Sequence, residues 1–354
     1  MDQEPYYYFS CDEETGQVTI NVSSTELDGR ATVPPNELSK INRKCLLRIY
    51  ISGKHTNGYL KKIVDNVTKL PNVREVVFLA KKCVRRIDFG LLQKVLELDT
   101  ITSVTLTDLH TAPRGTSGIG GLNIIAFGKA LSSAGSHIKN IKFKDLSFIA
   151  VDFEVFRASF NNLYRIKFFG CNIDRITMQT LGNSLVDTRA VTGLHFVGTK
   201  FKPDADFHFF TSFFSVNPNF YVFTLSLTIL PKPVAVSLYS VLSLNKSIMH
   251  MDMHDVYGLG HIKPIQISTP PSLEKIDITG GDLSRKSMVH LLRYCSATCV
   301  IFDLIQQRTV IPFLHFIFEK NKRWSRCIQP RGARPLHPQL MGYLVNNRKI
   351  LNSK

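Results

Sequence analysis

Apolar residues recur along the chain as a triplet at positions i, i+3 and i+5, a spacing typical of strands with one face in a core. The triplet occurs ten times, and its first residues are Leu46, Val73, Ile101, Ile138, Leu163, Val191, Phe220, Ile248, Leu273 and Cys299. Successive triplets start 25 to 29 residues apart, except for one interval of 37. The segments between them, such as 57–70, 87–98 and 284–294, have the periodicity of amphipathic helices. One strand and one helix per 25 to 29 residues predicts a βα solenoid.

Two copies, LYRIKFFGCNI at 163–173 and VTGLHFVGTKF at 191–201, resemble the leucine-rich-repeat pattern LxxLxLxx(N/C)xL. The resemblance covers roughly residues 46–325, and the repeat length is similar to that of the ribonuclease-inhibitor-like class, which has a full helix per repeat. It implies an α/β fold, namely a curved leucine-rich-repeat solenoid of about ten βα repeats with a parallel concave sheet.

The copies depart from the family pattern, and their divergence is similar to that of the large protist leucine-rich-repeat families. Phenylalanine, isoleucine and valine replace many leucines, and at the Asn/Cys position only Cys171 matches. In the family this side chain satisfies the backbone of the turn that follows the strand. We therefore expect several of these turns to be irregular.

The two ends of the chain differ from the repeats. The segments YYYFSC and QVTINVSS alternate around DEETGQ and predict a β-hairpin cap within residues 1–30. The solenoid is then expected over 31–325, and the segment 326–354 is expected to be a poorly ordered basic tail. The long interval between the third and fourth triplets contains GTSGIGG at 115–121, which predicts an inserted loop.

Charge favours acidic partners, because 44 Lys and Arg against 28 Asp and Glu leave a net charge of +16. Residues 1–29 carry seven acids and no Lys or Arg, whereas residues 320–354 carry nine bases and no acid.

Seven cysteines without a CxxC pair, together with a start that lacks a signal-peptide pattern, predict a cytoplasmic protein with reduced thiols. We also expect a monomer.

Few residues have the spacing of a catalytic or metal site. No Lys follows the glycines of GTSGIGG, so a flexible insertion is favoured over a phosphate-binding loop. His250, Asp252 and His254 share one face of a strand, but the two histidines are roughly 13 Å apart when extended, too far to ligate one ion. No Ser/His/Asp or Cys/His arrangement is evident. We expect a non-enzymatic protein without catalytic residues, cofactor, metal or small-molecule substrate.

Side chains at i+4 of each triplet point away from the core and form a ladder along the exposed face of the sheet. The predicted ladder is Tyr50, Val77, Thr105, Lys142, Lys167, His195, Thr224, Asp252, Asp277 and Asp303. Neighbouring positions add Lys139, Lys144, Tyr164, Arg165 and Phe169 to its basic part, and His250 and His254 to its acidic part. Like charges on adjacent strands are destabilising unless a partner compensates them. We expect this face to bind a protein partner. The expected contacts are Lys139, Lys142, Lys144, Tyr164, Arg165, Lys167, Phe169, His195, His250, Asp252, His254, Asp277 and Asp303.

Three functions stay open at this point. The first is a protein-interaction scaffold that binds on its concave face. The second is binding of nucleic acid or an anionic membrane surface through the basic patch and tail, with Lys320, Lys322, Arg323, Arg326, Arg331 and Arg334 as contacts. The third is an actin-regulator-like or GTPase-regulator-like role, by resemblance in fold to tropomodulin, the CARMIL actin regulators and the Ran GTPase-activating proteins. The basic C-terminal segment argues against resemblance to the Ran GTPase-activating proteins, since that family typically has an acidic tail.

Overall fold

The structure is a computed structural model of the 354-residue chain. It describes residues 4–11, 18–23, 32–41, 44–52, 57–70, 72–81, 89–108, 124–135, 137–260, 262–264, 269–297, 299–301 and 327–329. The chain divides into two units, unit 1 (Met1–Asn172) and unit 2 (Ile173–Lys354), and each is considered by itself.

Unit 1 alternates strands with helices. Its strands are β1 (Tyr6–Cys11), β2 (Val18–Ser23), β3 (Cys45–Ser52), β4 (Val73–Lys81), β5 (Ser103–Asp108), β6 (Asn140–Lys144), β7 (Ser147–Phe148) and β8 (Arg165–Phe169), with β9 (Asn172–Ile173) at the unit boundary. Its helices are α1 (Asn57–Val67), α2 (Phe89–Leu96), α3 (Ile124–Ser133) and α4 (Arg157–Phe160), with 3-10 helices at Pro35–Lys40 and Phe153–Phe156. Strands β1 and β2 form the predicted antiparallel hairpin. From β2 onward the strands pair in parallel in the order β2-β3-β4-β5-β6-β8.

Unit 2 repeats the same alternation. Its strands are β10 (Gly193–Val197), β11 (Lys200–Phe201), β12 (Val222–Ser226), β13 (Thr228–Ile229), β14 (His250–Asp252), β15 (Val256–Tyr257), β16 (Lys275–Asp277), β17 (Cys299–Ile301) and β18 (Cys327–Gln329). Its helices are α5 (Arg175–Leu185), α6 (Thr211–Val216), α7 (Lys232–Leu242) and α8 (Arg285–Tyr294), with a 3-10 helix at Phe207–Phe210. The main strands pair in parallel in the order β10-β12-β14-β16-β17-β18.

The fold class predicted from the periodicity is confirmed. Each of the ten predicted strands is present, and within each unit the strands form a parallel ladder. The residues at i+3 and i+5 of the inner copies, such as Ile141 and Phe143, are fully buried. A strand followed by a helical segment in each repeat, stacked in parallel, is the architecture of a leucine-rich-repeat α/β solenoid.

The first triplet was placed two residues too far along the chain. In the structure Leu47 pairs with Val76 and Ile49 pairs with Phe78, so Arg48 and not Tyr50 is the first residue of the ladder. Leu47 and Ile49 are buried, and Arg48 is exposed. A two-residue slip keeps every side chain on its own face, so the alternation alone permits both registers.

The last triplet was misplaced in the same way. Asp277 pairs with Ile301, which takes the ladder position that the sequence assigned to Asp303. Asp303 lies outside the described residues. Strand β18 begins 28 residues after β17, pairs with it in parallel, and falls within the predicted tail at 326–354. The parallel ladder of unit 2 therefore includes a strand within this segment, and the other residues of the predicted tail lie outside the described part of the chain.

The turns after β6, β8, β10, β12, β14 and β16 are regular, contrary to expectation, and those after β3, β4 and β5 lie outside the described residues. Six successive turns place a residue with positive φ three positions beyond the ladder residue; these residues are Asp145, Gly170, Gly198, Leu227, Asp255 and Gly280. Backbone hydrogen bonds join neighbouring turns, from Gly198 N to Ser226 O at 2.8 Å and from Asp255 N to Thr279 O at 2.7 Å. The backbone therefore satisfies itself from one turn to the next, which removes the need for an Asn or Cys side chain in most copies.

Phenylalanines fill much of the core between sheet and helices. In unit 1, Phe143 lies 5.3 to 5.7 Å from the ring centres of Phe148, Phe153, Phe156 and Phe168. The inserted loop with GTSGIGG lies outside the described residues. Among the described helices, none combines the length and the apolar character that crossing a membrane requires.

Candidate binding face on the parallel sheet

The exposed sheet face of unit 1 consists of rows of side chains that run across the strands. The central row is Arg48, Val77, Thr105, Lys142 and Lys167, in the register of β3, β4, β5, β6 and β8. The second row, two positions further along each strand, is Tyr50, Leu79, Thr107, Lys144 and Phe169. The sequence therefore placed the middle of this face correctly and misplaced its first strand.

The structure brings the predicted basic residues of unit 1 together in one place. We call the basic–aromatic patch the set formed by Lys139, Lys142, Lys144, Tyr164, Arg165, Lys167 and Phe169. Lys142 lies directly opposite Lys167 in the strand pairing. Tyr164 and Phe169 are 49% and 39% exposed, so both aromatic residues are accessible to a partner.

Two lysines of the patch lie over aromatic rings. Lys139 Nζ is 5.0 Å from the ring centre of Tyr164, and Lys142 Nζ is 4.9 Å from that of Phe169. At this distance the ring attracts the ammonium group. Each contact holds a positive charge and an apolar surface side by side. Of the residue types in the patch, the aromatic rings and Arg165 are those enriched at interface centres.

Lys167 is held in an unfavourable environment for its charge. Burial lowers the pKa of its ammonium group, Arg165 and Lys142 lower it further, and Glu75 partly opposes the shift. These groups make the charged form of Lys167 less stable here than in water. An anion that reached the patch would reverse that effect.

A groove of about 470 Å³ adjoins the patch on the same face. Its lining includes Leu46, Arg48, Tyr50, Glu75, Val77, Leu79, Thr105, Thr107, Lys142, Lys144 and Asp145. Three of these side chains are aliphatic, three carry hydroxyls, three are cationic and two are acidic. The groove therefore offers mainly polar and charged contacts, with one aliphatic part formed by Leu46, Val77 and Leu79.

The acidic part of the predicted ladder is different in character. Asp277 is only 8% exposed, and its Oδ1 accepts hydrogen bonds from Thr279 N at 3.1 Å and Thr279 Oγ1 at 2.7 Å. Asp252 Oδ1 is hydrogen-bonded to the Nδ1 of His254. These two carboxylates accept hydrogen bonds from groups of their own turns in unit 2, and their predicted part in binding a partner stays a prediction.

The predicted histidines form no metal site. His195 Nδ1 lies 2.9 Å from Thr224 Oγ1, and His250 is exposed on β14. Within the described ranges, no group of three His, Cys, Asp or Glu side chains is arranged to hold a metal ion. Lys320, Lys322, Arg323, Arg326, Arg331 and Arg334, predicted to bind anions, lie outside the described residues.

A Ser–His–Asp arrangement that sequence reasoning missed lies on the helical side of unit 2. Ser240 Oγ is 2.8 Å from His208 Nε2, and His208 Nδ1 is 3.0 Å from Asp206 Oδ1. The residues are 32 and 2 positions apart, and no motif marks them.

Four features favour a structural role for this arrangement. Asp206 caps the 3-10 helix Phe207–Phe210 by accepting from His208 N at 2.9 Å. Ser240 Oγ donates to Ser237 O at 2.7 Å. Ser240 lies inside α7, where its N–H is used by the helix and is unavailable to stabilise an oxyanion. The side chains of His208 and Asp206 are 55% and 38% exposed, so water also reaches the site.

The comparisons with known proteins identify no family. No protein-family model matches the sequence, and no curated protein matches it. Among solved structures, the chain is similar to one in a crystal structure of a TLR13–ssRNA13 complex, with 15% identity and a TM-score of 0.45, over 74% of this chain and 34% of that one. It is also similar to an internalin, inlF, from Listeria monocytogenes str. 4b F2365, with 10% identity and a TM-score of 0.36, over 80% of this chain and 85% of that one. The chain thus spans about a third of the TLR13 chain.

Proposed function

We propose that this protein is a non-enzymatic interaction scaffold that binds an acidic protein partner through the basic–aromatic patch and the adjoining groove. The observation that carries the proposal is the pairing of Lys142 with Lys167 beside Arg165 on one sheet face. Like charges directly opposite on paired strands destabilise the folded state. Their presence is explained if a partner supplies the opposite charge.

We also propose that the repeats belong to the long, ribonuclease-inhibitor-like class. The support is the repeat length of 25 to 29 residues and the full helices of 10 or 11 residues at α1, α5, α7 and α8. We also propose a location in the cytoplasm, which fits the presence of thiols and not disulfides at Cys45 and Cys171. Burial raises the pKa of these thiols to about 11 and about 12, which makes them unreactive.

A second candidate function is binding of nucleic acid or an anionic lipid surface. The observation in its favour is the same patch, because bases stack on exposed aromatic rings and cations attract phosphates. The actin-regulator-like and GTPase-regulator-like roles rest on analogy in fold alone, and fold does not determine function.

Charge reversal in the patch tests the proposed function. We expect the full chain to bind fluorescent polyglutamate in 100 mM salt, and Lys167→Glu to weaken that binding by about tenfold, because one substitution removes an attraction and adds a repulsion. The matched control is Lys129→Glu, which makes the same change at an exposed site on α3. Fluorescence anisotropy gives both affinities.

Two results would contradict the proposal. The first is an equal affinity of the Lys167→Glu and Lys129→Glu proteins for polyglutamate. The second is the absence of polyglutamate binding together with a loss of single-stranded RNA or anionic vesicle binding in Lys167→Glu, which would establish the second candidate instead.

A further inference from the structure

We propose that the segment bound in the groove is an extended peptide in which a large apolar residue lies between two acidic residues, in the pattern acid-x-apolar-x-acid. This inference rests on the proposed function and specifies the chemistry of the partner. Its basis is the arrangement of aliphatic and cationic side chains that line the groove, in which Leu46 is in register with Glu75 and Arg48 is in register with Val77.

The aliphatic part of the groove is formed by Leu46 on β3 and by Val77 and Leu79 on β4. These three residues lie on the face of the sheet opposite the core residues Leu47, Val76 and Phe78. Leu46 and Leu79 are only 7% and 9% exposed and Val77 is half-buried, so they form the floor of the groove and not an open surface patch. An aliphatic floor beside charged side chains is suited to one apolar side chain that reaches into the groove.

Cations lie at both ends of this aliphatic cluster. Arg48 is in register with Val77 on one side, and Lys142 lies on the same row two strands beyond Val77 on the other. The patch continues from Lys142 to Lys167. The groove also contains Glu75, which accepts a hydrogen bond from Thr105 Oγ1 at 3.3 Å, and Asp145, which is 3.9 Å from Lys144. The two acids are thus already engaged by groups of the groove, and the row from Arg48 to Lys167 contains cations and no acid.

The strand spacing determines the length of the pattern. Strands β3 and β6 are three steps apart, or about 14 Å at roughly 4.8 Å per step. An extended peptide covers that distance in about four residues, and its residues i, i+2 and i+4 point to the same side. Acidic residues at i and i+4 can therefore reach Arg48 and Lys142 while residue i+2 contacts the aliphatic cluster.

The groove fits a peptide better than a nucleic acid. A nucleic acid carries a phosphate at every nucleotide, whereas the cations of the row are separated by the aliphatic floor, and aliphatic side chains give bases less to stack on than aromatic rings do. A peptide of the proposed pattern places its carboxylates only beside the cationic side chains of the groove. Nucleic acid and lipid are therefore alternative outcomes of the test.

The test uses the full chain and three labelled peptides. The first contains Glu-Ser-Phe-Ser-Glu, the second has Ser in place of Phe, and the third has Gln in place of both Glu residues. We expect the first peptide to bind about tenfold more tightly than the second, because the phenylalanine buries apolar surface, and the third to bind weakly for lack of charge. The Val77→Ser variant is expected to lose about fivefold in affinity for the first peptide and to leave the second unchanged.

Two further variants make the result interpretable. Val216→Ser makes the same substitution at an exposed valine of unit 2 and should leave all affinities unchanged. Val77→Thr nearly preserves the shape of the side chain, so it keeps the test valid if Val77→Ser unfolds, and it should weaken the first peptide selectively.

The outcomes separate this inference from the function it rests on. Equal affinities for the first two peptides, with Lys167→Glu still weakening both, would overturn the inference and keep the proposed function. Peptide affinities that are insensitive to Lys167→Glu would overturn both. Binding of single-stranded RNA or anionic vesicles that Lys167→Glu abolishes, in the absence of peptide binding, would also overturn both.

Discussion

Replacing Phe143 by alanine is expected to lower the free energy of unfolding by about 3–5 kcal/mol. Phe143 is fully buried at the centre of the phenylalanine cluster of unit 1, and its ring contacts those of Phe148 and Phe168 at 5.3 Å between centres. Alanine leaves a cavity that the surrounding rings cannot fill without leaving their preferred conformations. Urea denaturation of the full chain, followed by far-ultraviolet circular dichroism, measures the change.

Phe143→Leu is the matched control, because leucine retains most of the buried volume and is expected to cost less than about 1.5 kcal/mol. Phe143 also lies between Lys142 and Lys144 on β6, so its loss should weaken polyglutamate binding as the strand shifts. A loss of stability below about 1 kcal/mol in Phe143→Ala would show that this ring is not part of a close-packed core.

The second large effect is expected at Asn245, where alanine should cost about 3 kcal/mol. Asn245 is fully buried after α7, and its Nδ2 donates to Phe214 O at 2.8 Å. Its Oδ1 accepts from Ser247 N at 2.8 Å and from Ile248 N at 2.6 Å. Alanine would leave two buried backbone groups and one half-buried group without these partners, and each unsatisfied group carries a desolvation cost.

An exposed asparagine provides the comparison for Asn245. Asn219 also donates from Nδ2 to a backbone carbonyl, that of Arg189, at 3.1 Å, but it is exposed to water. Asn219→Ala should therefore change the free energy of unfolding by no more than about 0.5 kcal/mol. Equal changes in the free energy of unfolding for Asn245→Ala and Asn219→Ala, measured by chemical denaturation, would show that burial of the Asn245 hydrogen bonds does not contribute to stability.

The inner repeats could be predicted from the sequence because their pattern permits one register. At Ile141 and Phe143, or Ile166 and Phe168, a single pair of apolar residues alternates with polar neighbours. The outer repeats contain longer alternating apolar series, at 45–51 and 300–304, so two registers bury the same face equally well. The choice between them depends on pairing with the neighbouring strand, which periodicity does not report.

One sequence signal could have corrected the last register. A serine directly precedes the first core residue in three consecutive repeats, and its Oγ donates to a backbone carbonyl of the repeat before it. The three bonds are Ser247 to Phe220 O at 3.2 Å, Ser272 to Ile248 O at 2.8 Å and Ser296 to Leu273 O at 3.4 Å. The serine at 296 therefore marks Ala297, and not Cys299, as the start of the last triplet.

The binding face was predictable only as a row of positions. Strand alternation indicated that Lys142 and Lys167 face away from the core, and the structure places them opposite each other. Alternation could not show that Asp277 is hydrogen-bonded to Thr279 and buried. Nor could it show the groove, because Leu46, Val77 and Leu79 become one surface only when β3 and β4 pair.

The most direct test of whether the basic–aromatic patch is a binding site uses the Lys167→Gln variant. Its free energy of unfolding and its affinity for polyglutamate are measured on the same protein. Burial and the neighbouring Arg165 and Lys142 lower the pKa of Lys167 in the folded state, so the charged lysine costs stability at neutral pH. Glutamine removes that cost and should raise the free energy of unfolding by about 0.2–1 kcal/mol. The gain should shrink as the pH rises through the folded-state pKa of Lys167 toward the unfolded value of 10.5, where the wild-type lysine is also neutral.

The same substitution should weaken binding of polyglutamate by about fivefold, since the removed charge no longer attracts the partner. Denaturant titrations from pH 7 to 10 and anisotropy at pH 7 give both quantities on one protein. A more stable Lys167→Gln protein with a lower affinity is the predicted result, and a less stable protein with unchanged affinity would contradict it.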